Sequence, residues 1–467
     1  MKTFSKKWVA ALLILLCSTT ISAKMPKYIF YCIGDGMSFS HVTATQLYYE
    51  HGNYHNGEES LIFLDFPVRS AIRTYANNSL ITCSAAAGTA LATGHKTNLE
   101  HIGIDPDKKP LTSIAKQLRD KGYGIGIITS GQLDDATPAA FYATQMRKEA
   151  YLIGKDGADS QFDFLAGSTV RRLYDTIPEN PYLFDYYQQK GYTICRGPEG
   201  YNAHKNADKI LLLDADSTLR SWLPYFIERE PDQMGLEFMV QAGIEKLYNN
   251  KQKKGFFMMI EAASIDHASH PRDLATAIKE TIEFDQSIRI AYEFYKKHPD
   301  ETLIIVTADH ETGGLTIGEG TLRPLYMEYV NYQTMSKESL SKLFSKMRQT
   351  GEIDTWEKAK KILAQNTGLW DKIPVNAGEE AQLMQCYYET VQKKSSKKEI
   401  TLYTNSEPLI ADAIALLNKK IGVGWTTFSH TGSFVPFYAI GSQASLFGTL
   451  NDNTEIPNTL RKIMKIK

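Results

Sequence analysis

Four short segments of the chain bring carboxylates and imidazoles together at spacings that suit metal ions. Asp35 stands in Ile33-Gly34-Asp35-Gly36-Met37, where flanking glycines let the backbone turn tightly. Asp266 and His270 are four residues apart. On a helix that spacing puts both side chains on one face, able to grip one ion. Asp309-His310 follows the apolar run Leu303–Val306, and adjacent residues at a strand end can both turn toward one ion. His430 sits in Ser429-His430-Thr431-Gly432-Ser433, a small-residue loop before a strand. Each has a plainer reading alone: a turn aspartate, a helix-surface contact, polar residues at a strand end, a surface histidine. Together they make a set of oxygen and nitrogen donors that suits zinc, large enough for two neighbouring sites. Two ions roughly 3.5–4 Å apart form the usual clamp for in-line phosphoryl transfer.

A nucleophile candidate accompanies them. Thr82-Cys83-Ser84 opens a run of small, helix-compatible residues, Ala85 to Ala90. Ser84 would then sit at a helix amino terminus, where free N–H groups and the helix dipole favour an alkoxide and a bound phosphate. The plainer reading is an N-cap serine.

The elements that must position these groups are also legible. Tyr28–Ile33, Gly124–Ile128, Phe256–Ile260 and Leu303–Val306 are short, continuous apolar runs, each ending in small or polar residues. Such runs fit strands buried on both faces. Helical patterns at Leu111–Lys121 and Leu274–His298 lie between them. The alternation predicts a mostly parallel sheet with helices on both faces. In such sheets the carboxyl ends of the strands carry the chemistry, and Asp35, the segment from Thr129, Glu261 and Asp309-His310 all fall there. Residues 322–420 read as an inserted subdomain, with amphipathic, lysine-rich helices at Ser336–Thr350, Thr355–Gln365 and Gly378–Lys393 and a polar break at Ser395–Lys398. Val435–Ile440 reads as a returning strand.

Composition narrows the class. The 467 residues are 43% hydrophobic and 22% charged, as in a globular enzyme. A net charge of -1 argues against nucleic-acid binding. Lys2, Lys6 and Lys7, the apolar run Trp8–Leu16 and Ile21-Ser22-Ala23 form a signal peptide over residues 1–23. The run is too short for a stable membrane anchor, and bulky Leu16 before Cys17 argues against lipidation. The expected location is therefore exported, periplasmic or extracellular. Residues 24–467 hold Cys32, Cys83, Cys195 and Cys386, without a C-x-x-C pair and with room for one disulfide.

In this order and spacing the segments make the chain resemble the alkaline phosphatase family. The resemblance rests on IGDGM at 33–37, the nucleophile segment, Asp134-Asp135-Ala136-Thr137-Pro138-Ala139-Ala140, Glu261-Ala262-Ala263-Ser264-Ile265-Asp266, Thr307-Ala308-Asp309-His310 and His430-Thr431-Gly432-Ser433. It covers residues 24–467 and implies an α/β fold, a three-layer α/β/α sandwich. It further implies an enzyme that hydrolyses phosphate monoesters through a phosphorylated Ser84. Asp266, His270 and His430 match the ligands of one zinc; Asp35, Asp309 and His310 match those of a second. Asp35, Thr137 and Glu261 match a third site, usually magnesium, and its harder oxygen donors suit that ion. Asp135 matches an acid that supports the third site through water. Family members are commonly homodimers.

Three departures stand out. Cys83 occupies the place of an Asp that, in the family, positions an arginine on the substrate phosphate, so that arginine is expected to lose its partner. The arginine itself is displaced: Arg147 falls one residue early and Lys148 takes its register. One residue is about 100° of helix, so either Arg147 or Lys148 is the clamp, and Arg147, with its bidentate fork, is preferred. His267 beside Asp266 is expected to reach phosphate or the third metal through water. A phosphodiesterase of the same superfamily is the alternative, since such enzymes often use Thr and Thr82 is adjacent. Thr137 and Glu261 favour the monoesterase. A sulfatase would need an arginine where Ala87 stands.

Overall fold

The computed structural model describes residues 24–53, 58–216, 221–250, 252–320, 324–392, 399–402 and 405–466. The expected signal peptide over residues 1–23, Cys17 and the polar break at 395–398 lie outside them.

Nine strands form the main sheet: β1 (Tyr28–Gly34), β2 (Val68–Ile72), β3 (Gly124–Thr129), β4 (Phe164–Gly167), β5 (Tyr192–Arg196), β6 (Lys209–Leu213), β7 (Phe256–Ala262), β8 (Thr302–Thr307) and β9 (Val435–Gly441). Their spatial order is β2-β9-β8-β1-β7-β3-β4-β6-β5. Only β9 runs against its neighbours, pairing antiparallel with β8 and β2. The apolar runs explain the layering. Every residue of β3, β7 and β8 is buried, so successive side chains on both faces are covered. Helices therefore pack on both sides, giving a three-layer α/β/α sandwich.

Register brings the functional segments to one edge. Ile33 pairs with Glu261 and with Thr307, and Thr129 pairs with Glu261. The strands thus end level, and the residues just beyond them share one rim.

The helices that bear on this rim are α1 (Phe39–His51), α2 (Ser84–Thr93), α3 (Ala136–Ala139), α4 (Ser264–Ser269) and α5 (Leu274–Lys297). The lysine-rich stretch folds as α6 (Lys337–Thr350), α7 (Trp356–Thr367) and α8 (Ala377–Tyr387), with α9 (Pro408–Ile421) behind them. Ser336, Thr355 and Asn376 cap the first three through their side chains. The third helix ends earlier than its pattern predicts, passing into a π-helical turn at Tyr388–Gln392. The helix predicted at Leu111–Lys121 spans Ile114–Asp120, starting late because Ser113 caps it by accepting from Lys116 N. Cys32, Cys83, Cys195 and Cys386 are all free thiols, so no disulfide forms among the described residues. No helix among these residues is long and apolar enough to cross a membrane.

Candidate active site

Asp35 leaves β1 into a turn that only glycine makes without strain: Gly36 has φ +73° and its N–H donates to Asp309 Oδ1 at 3.1 Å. A Cβ on Gly36 would lie 3.0 Å from Cα, Cβ and Oδ1 of Asp266. The turn after β1 thus packs directly on α4. That helix carries Asp266, and His270 caps its end, with His270 Nε2 3.3 Å from Asp266 Oδ2. Asp309 and His310 follow β8, and His310 Nε2 lies 3.1 Å from Asp309 Oδ2 and 3.6 Å from Asp35 Oδ1. His430 forms a two-residue strand with Thr431, paired to Glu311-Thr312, rather than a free loop. This pairing lays the His430 ring on that of His310, centroids 3.6 Å apart.

Two groups emerge. Asp35, Asp309 and His310 offer donor atoms within 4.8 Å of one another, and so do Asp266, His310 and His430. His270 joins the second group, its Nε2 3.3 Å from His430 Nε2. The imidazoles are oriented from behind. Nδ1 of His270 lies 2.6 Å from Phe428 O, and Nδ1 of His430 lies 3.0 Å from Thr82 O. Both carbonyls can only accept, which puts the proton on Nδ1 and leaves Nε2 as the donor to an ion. Nδ1 of His310 meets Thr312 Oγ1 at 3.2 Å, while that hydroxyl donates to Asp266 Oδ1.

The electrostatics ask for cations. Burial, with the charges of Asp309, Asp266 and Glu261, pushes the Asp35 carboxyl well above the usual range. Burial and Asp266 push Asp309 up to about 7. Burial raises Glu261 to about 8, against a hydrogen bond from Thr129. Asp266 overcomes its burial through His270, His430 and His310 and falls well below its ordinary value. Oδ1 of Asp35, Oδ2 of Asp266 and Oδ2 of Asp309 are buried and accept no hydrogen bond. Buried carboxylate oxygens without a donor are costly unless an ion satisfies them. The mixed carboxylate and imidazole donors fit zinc.

Glu261, the penultimate residue of β7, hydrogen-bonds Thr137, whose Oγ1 reaches Asp35 Oδ2 at 3.5 Å. Asp35, Thr137 and Glu261 therefore meet beside the two groups as an all-oxygen set.

Ser84 is the first residue of α2, and the N-cap is Cys83, not Ser84. The first intrahelical bond runs from Ala87 N to Cys83 O at 3.0 Å, so the amides of 84–86 lie ahead of it. Ser84 Oγ is 3.1 Å from His310 Nε2. The hydroxyl thus stands at the cluster of candidate metal donors, with the positive end of a ten-residue helix behind it.

Arg147 and Lys148 point to different surroundings. The Lys148 side chain is 78% exposed and 3.9 Å from Glu149. The Arg147 side chain is 16% exposed, and its Nη2 donates to Asp135 Oδ1 at 3.1 Å. Burial is the main cause that lowers the pKa of His310 and His430, and the Arg147 charge adds to it. The arginine therefore keeps a carboxylate partner despite Cys83, supplied by Asp135 from another element. Cys83 Sγ instead accepts from Glu100 N at 3.4 Å. Asp135 also caps α3, accepting from Ala136 N at 2.8 Å. Loss of solvent pushes the Asp135 carboxyl up, but Arg147 and Arg171 outweigh it and hold the group at about 2. His267 is buried, which lowers its pKa to about 4, and its ring lies 4.7 Å from that of Trp222.

Sequence reading missed Thr312, Trp222 and Arg171. Thr312 lies two residues past His310, so its proximity was legible; the other two reach the site only through the fold.

A model of the alkaline phosphatase family matches residues 26–160 and 182–466. Alkaline phosphatase 4 of Bacillus subtilis is 30% identical over 442 residues, spanning 93% of this chain and 87% of that protein. The repressible alkaline phosphatase of Saccharomyces cerevisiae is 25% identical over 483 residues, spanning 94% of this chain and 81% of that protein. Among solved structures, the cold-active alkaline phosphatase of a psychrophilic Shewanella is 27% identical with a TM-score of 0.75, covering 94% of this chain and 99% of its own.

Proposed function

The chain belongs to the alkaline phosphatase family, and we propose that it is an exported phosphomonoesterase working through a phosphoserine at Ser84. Asp266, His270 and His430 would hold one zinc, Asp35, Asp309 and His310 a second, and Asp35, Thr137 and Glu261 a magnesium. Bound there, these ions supply Lewis acidity to the Ser84 hydroxyl, the leaving alcohol and water, and they neutralise phosphoryl charge.

The observation that carries the reading is the position of Ser84 Oγ, 3.1 Å from His310 Nε2 and at the start of α2. The amides of the first turn and the helix dipole favour the phosphoryl oxygens at this spot. Arg147, held by Asp135, offers a planar pair of donors to the same group. Ser84 Oγ attacks phosphorus in line, and the alcohol departs with a proton. Water then attacks the phosphoserine from the opposite side, freeing Ser84 and phosphate. Two in-line displacements retain configuration at phosphorus. The diesterase alternative is not favoured: Arg147 held by Asp135, and Thr137 and Glu261 beside Asp35, suit a dianionic monoester.

The test is p-nitrophenyl phosphate against bis-p-nitrophenyl phosphate, with zinc and magnesium supplied to the mature protein. A preference for the monoester, lost in Ser84→Ala, is expected. A preference for the diester, or loss of turnover on Thr82→Ala but not on Ser84→Ala, would overturn the assignment.

A further inference from the structure

Arg171 enters the site from the loop after β4, and no motif marks it in the sequence. Its backbone N–H donates to both carboxylate oxygens of Asp134, at 2.8 and 3.0 Å. Its Nη2 donates to the Asp134 carbonyl, and its Nη1 lies 3.8 Å from Asp135 Oδ1. The Asp134 side chain is fully buried. One arginine thus grips the Asp134-Asp135 turn by the Asp134 carboxylate and peptide oxygen, and its charge stands 3.8 Å from the Asp135 side chain.

The oxygen that Arg171 approaches is the one that matters. Asp135 Oδ1 accepts from Arg147 Nη2 at 3.1 Å and from Ala136 N at 2.8 Å. A carboxylate can orient a long, flexible guanidinium only if it is itself held, because both partners otherwise lose side-chain freedom on pairing. Here the backbone donor of α3 holds it from one side and Arg171 from another. The backbone of Arg147 is fixed independently, its N–H donating to Glu100 O at 2.9 Å, while Glu100 N donates to Cys83 Sγ. A thiol there is too weak an acceptor to aim a guanidinium.

We propose that Arg171 is a positioning residue of the phosphate site, locking the Asp134-Asp135 turn so that Asp135 aims Arg147 at the phosphoryl group. This replaces the carboxylate that the family places where Cys83 stands. The inference rests on Arg147 being the phosphate clamp. Arg171 itself touches no reacting atom; it acts through Asp135.

The test uses the metal-loaded protein and inorganic phosphate as a competitive inhibitor. Arg171→Gln is expected to raise the phosphate inhibition constant and KM by about tenfold, with kcat and zinc content much less affected. Arg171→Lys, which keeps the charge without the fork, is expected to give a smaller rise in the same constants and guards against misfolding of the Gln variant. Adding Cys83→Asp to Arg171→Gln should recover most of the loss, because the new carboxylate would aim Arg147 from the other side. A uniformly unstable protein would not show that rescue. Arg171→Gln with an unchanged phosphate constant, or a fall in kcat and Tm without a change in that constant, overturns the proposal. If Arg147→Ala leaves phosphate inhibition intact, the clamp assignment fails, and the Arg171 proposal with it. If Arg147→Ala weakens inhibition and Arg171→Gln does not, only the positioning role fails.

Discussion

Replacing Gly36 with alanine separates backbone strain from damage to the site. Gly36 has φ +73°, a conformation that costs an L-residue roughly 1–2 kcal/mol. The new Cβ would also stand 3.0 Å from Cα, Cβ and Oδ1 of Asp266, one of which is backbone and cannot rotate away. Relief requires α4 to move by a few tenths of an ångström relative to β1. Ligand distances in metal sites tolerate about 0.2 Å, so Asp266 would be displaced from its partners His270 and His430. We expect Gly36→Ala to weaken zinc binding roughly 10- to 100-fold, the range seen when a ligand loses its support. The kcat/KM measured at limiting zinc should fall in step and recover partly with excess zinc. Gly351 provides the control: it ends α6 at φ +78° with nothing within 4 Å of an added Cβ. Gly351→Ala carries the same strain of about 1–2 kcal/mol and should lower Tm without touching activity. Zinc titration against a chromophoric chelator, with calorimetry of both variants, decides the matter. If Gly36→Ala binds zinc like the wild type and loses no more Tm than Gly351→Ala, the packing of Asp266 on the Gly36 turn does not set the metal site.

Other outcomes follow from the same geometry. Ser84→Ala should cut phosphomonoesterase turnover by at least roughly 10³-fold while metal content stays intact, read by steady-state kinetics and elemental analysis. Arg147→Ala should lower kcat/KM by roughly 10- to 100-fold, the worth of a charge-assisted hydrogen bond to phosphate. Lys148→Ala should leave kcat/KM within about twofold, because an exposed pair at 3.9 Å contributes little. A larger loss from Lys148→Ala would transfer the clamp to the lysine. Metal analysis of saturated protein should find close to two zincs and one lighter ion per chain. A single tightly bound ion would leave the three donor sets unexplained.

The candidate donors, and their placement at strand ends and on one helix, were readable from the chain alone. Short apolar runs have the period of strands buried on both faces, and a four-residue spacing fixes the shared face of Asp266 and His270 whatever lies around them. Those are local properties, set by backbone geometry. Which of Arg147 and Lys148 is turned inward onto a carboxylate was not local. It depends on the short pairing of His101-Ile102 with Gln145-Met146, which sets the direction of the following residue from a partner more than forty positions away. The same holds for the partner of Arg147. Sequence assigned it to position 83 and, finding cysteine, expected none. The fold supplies Asp135, steadied by Arg171 from a loop after another strand. The stacking of His430 on His310 likewise needs the two-residue ladder between 311–312 and 430–431. Spacing can announce donors that lie within a turn of one another; only the register of distant strands decides which donors share an ion and which carboxylate holds an arginine.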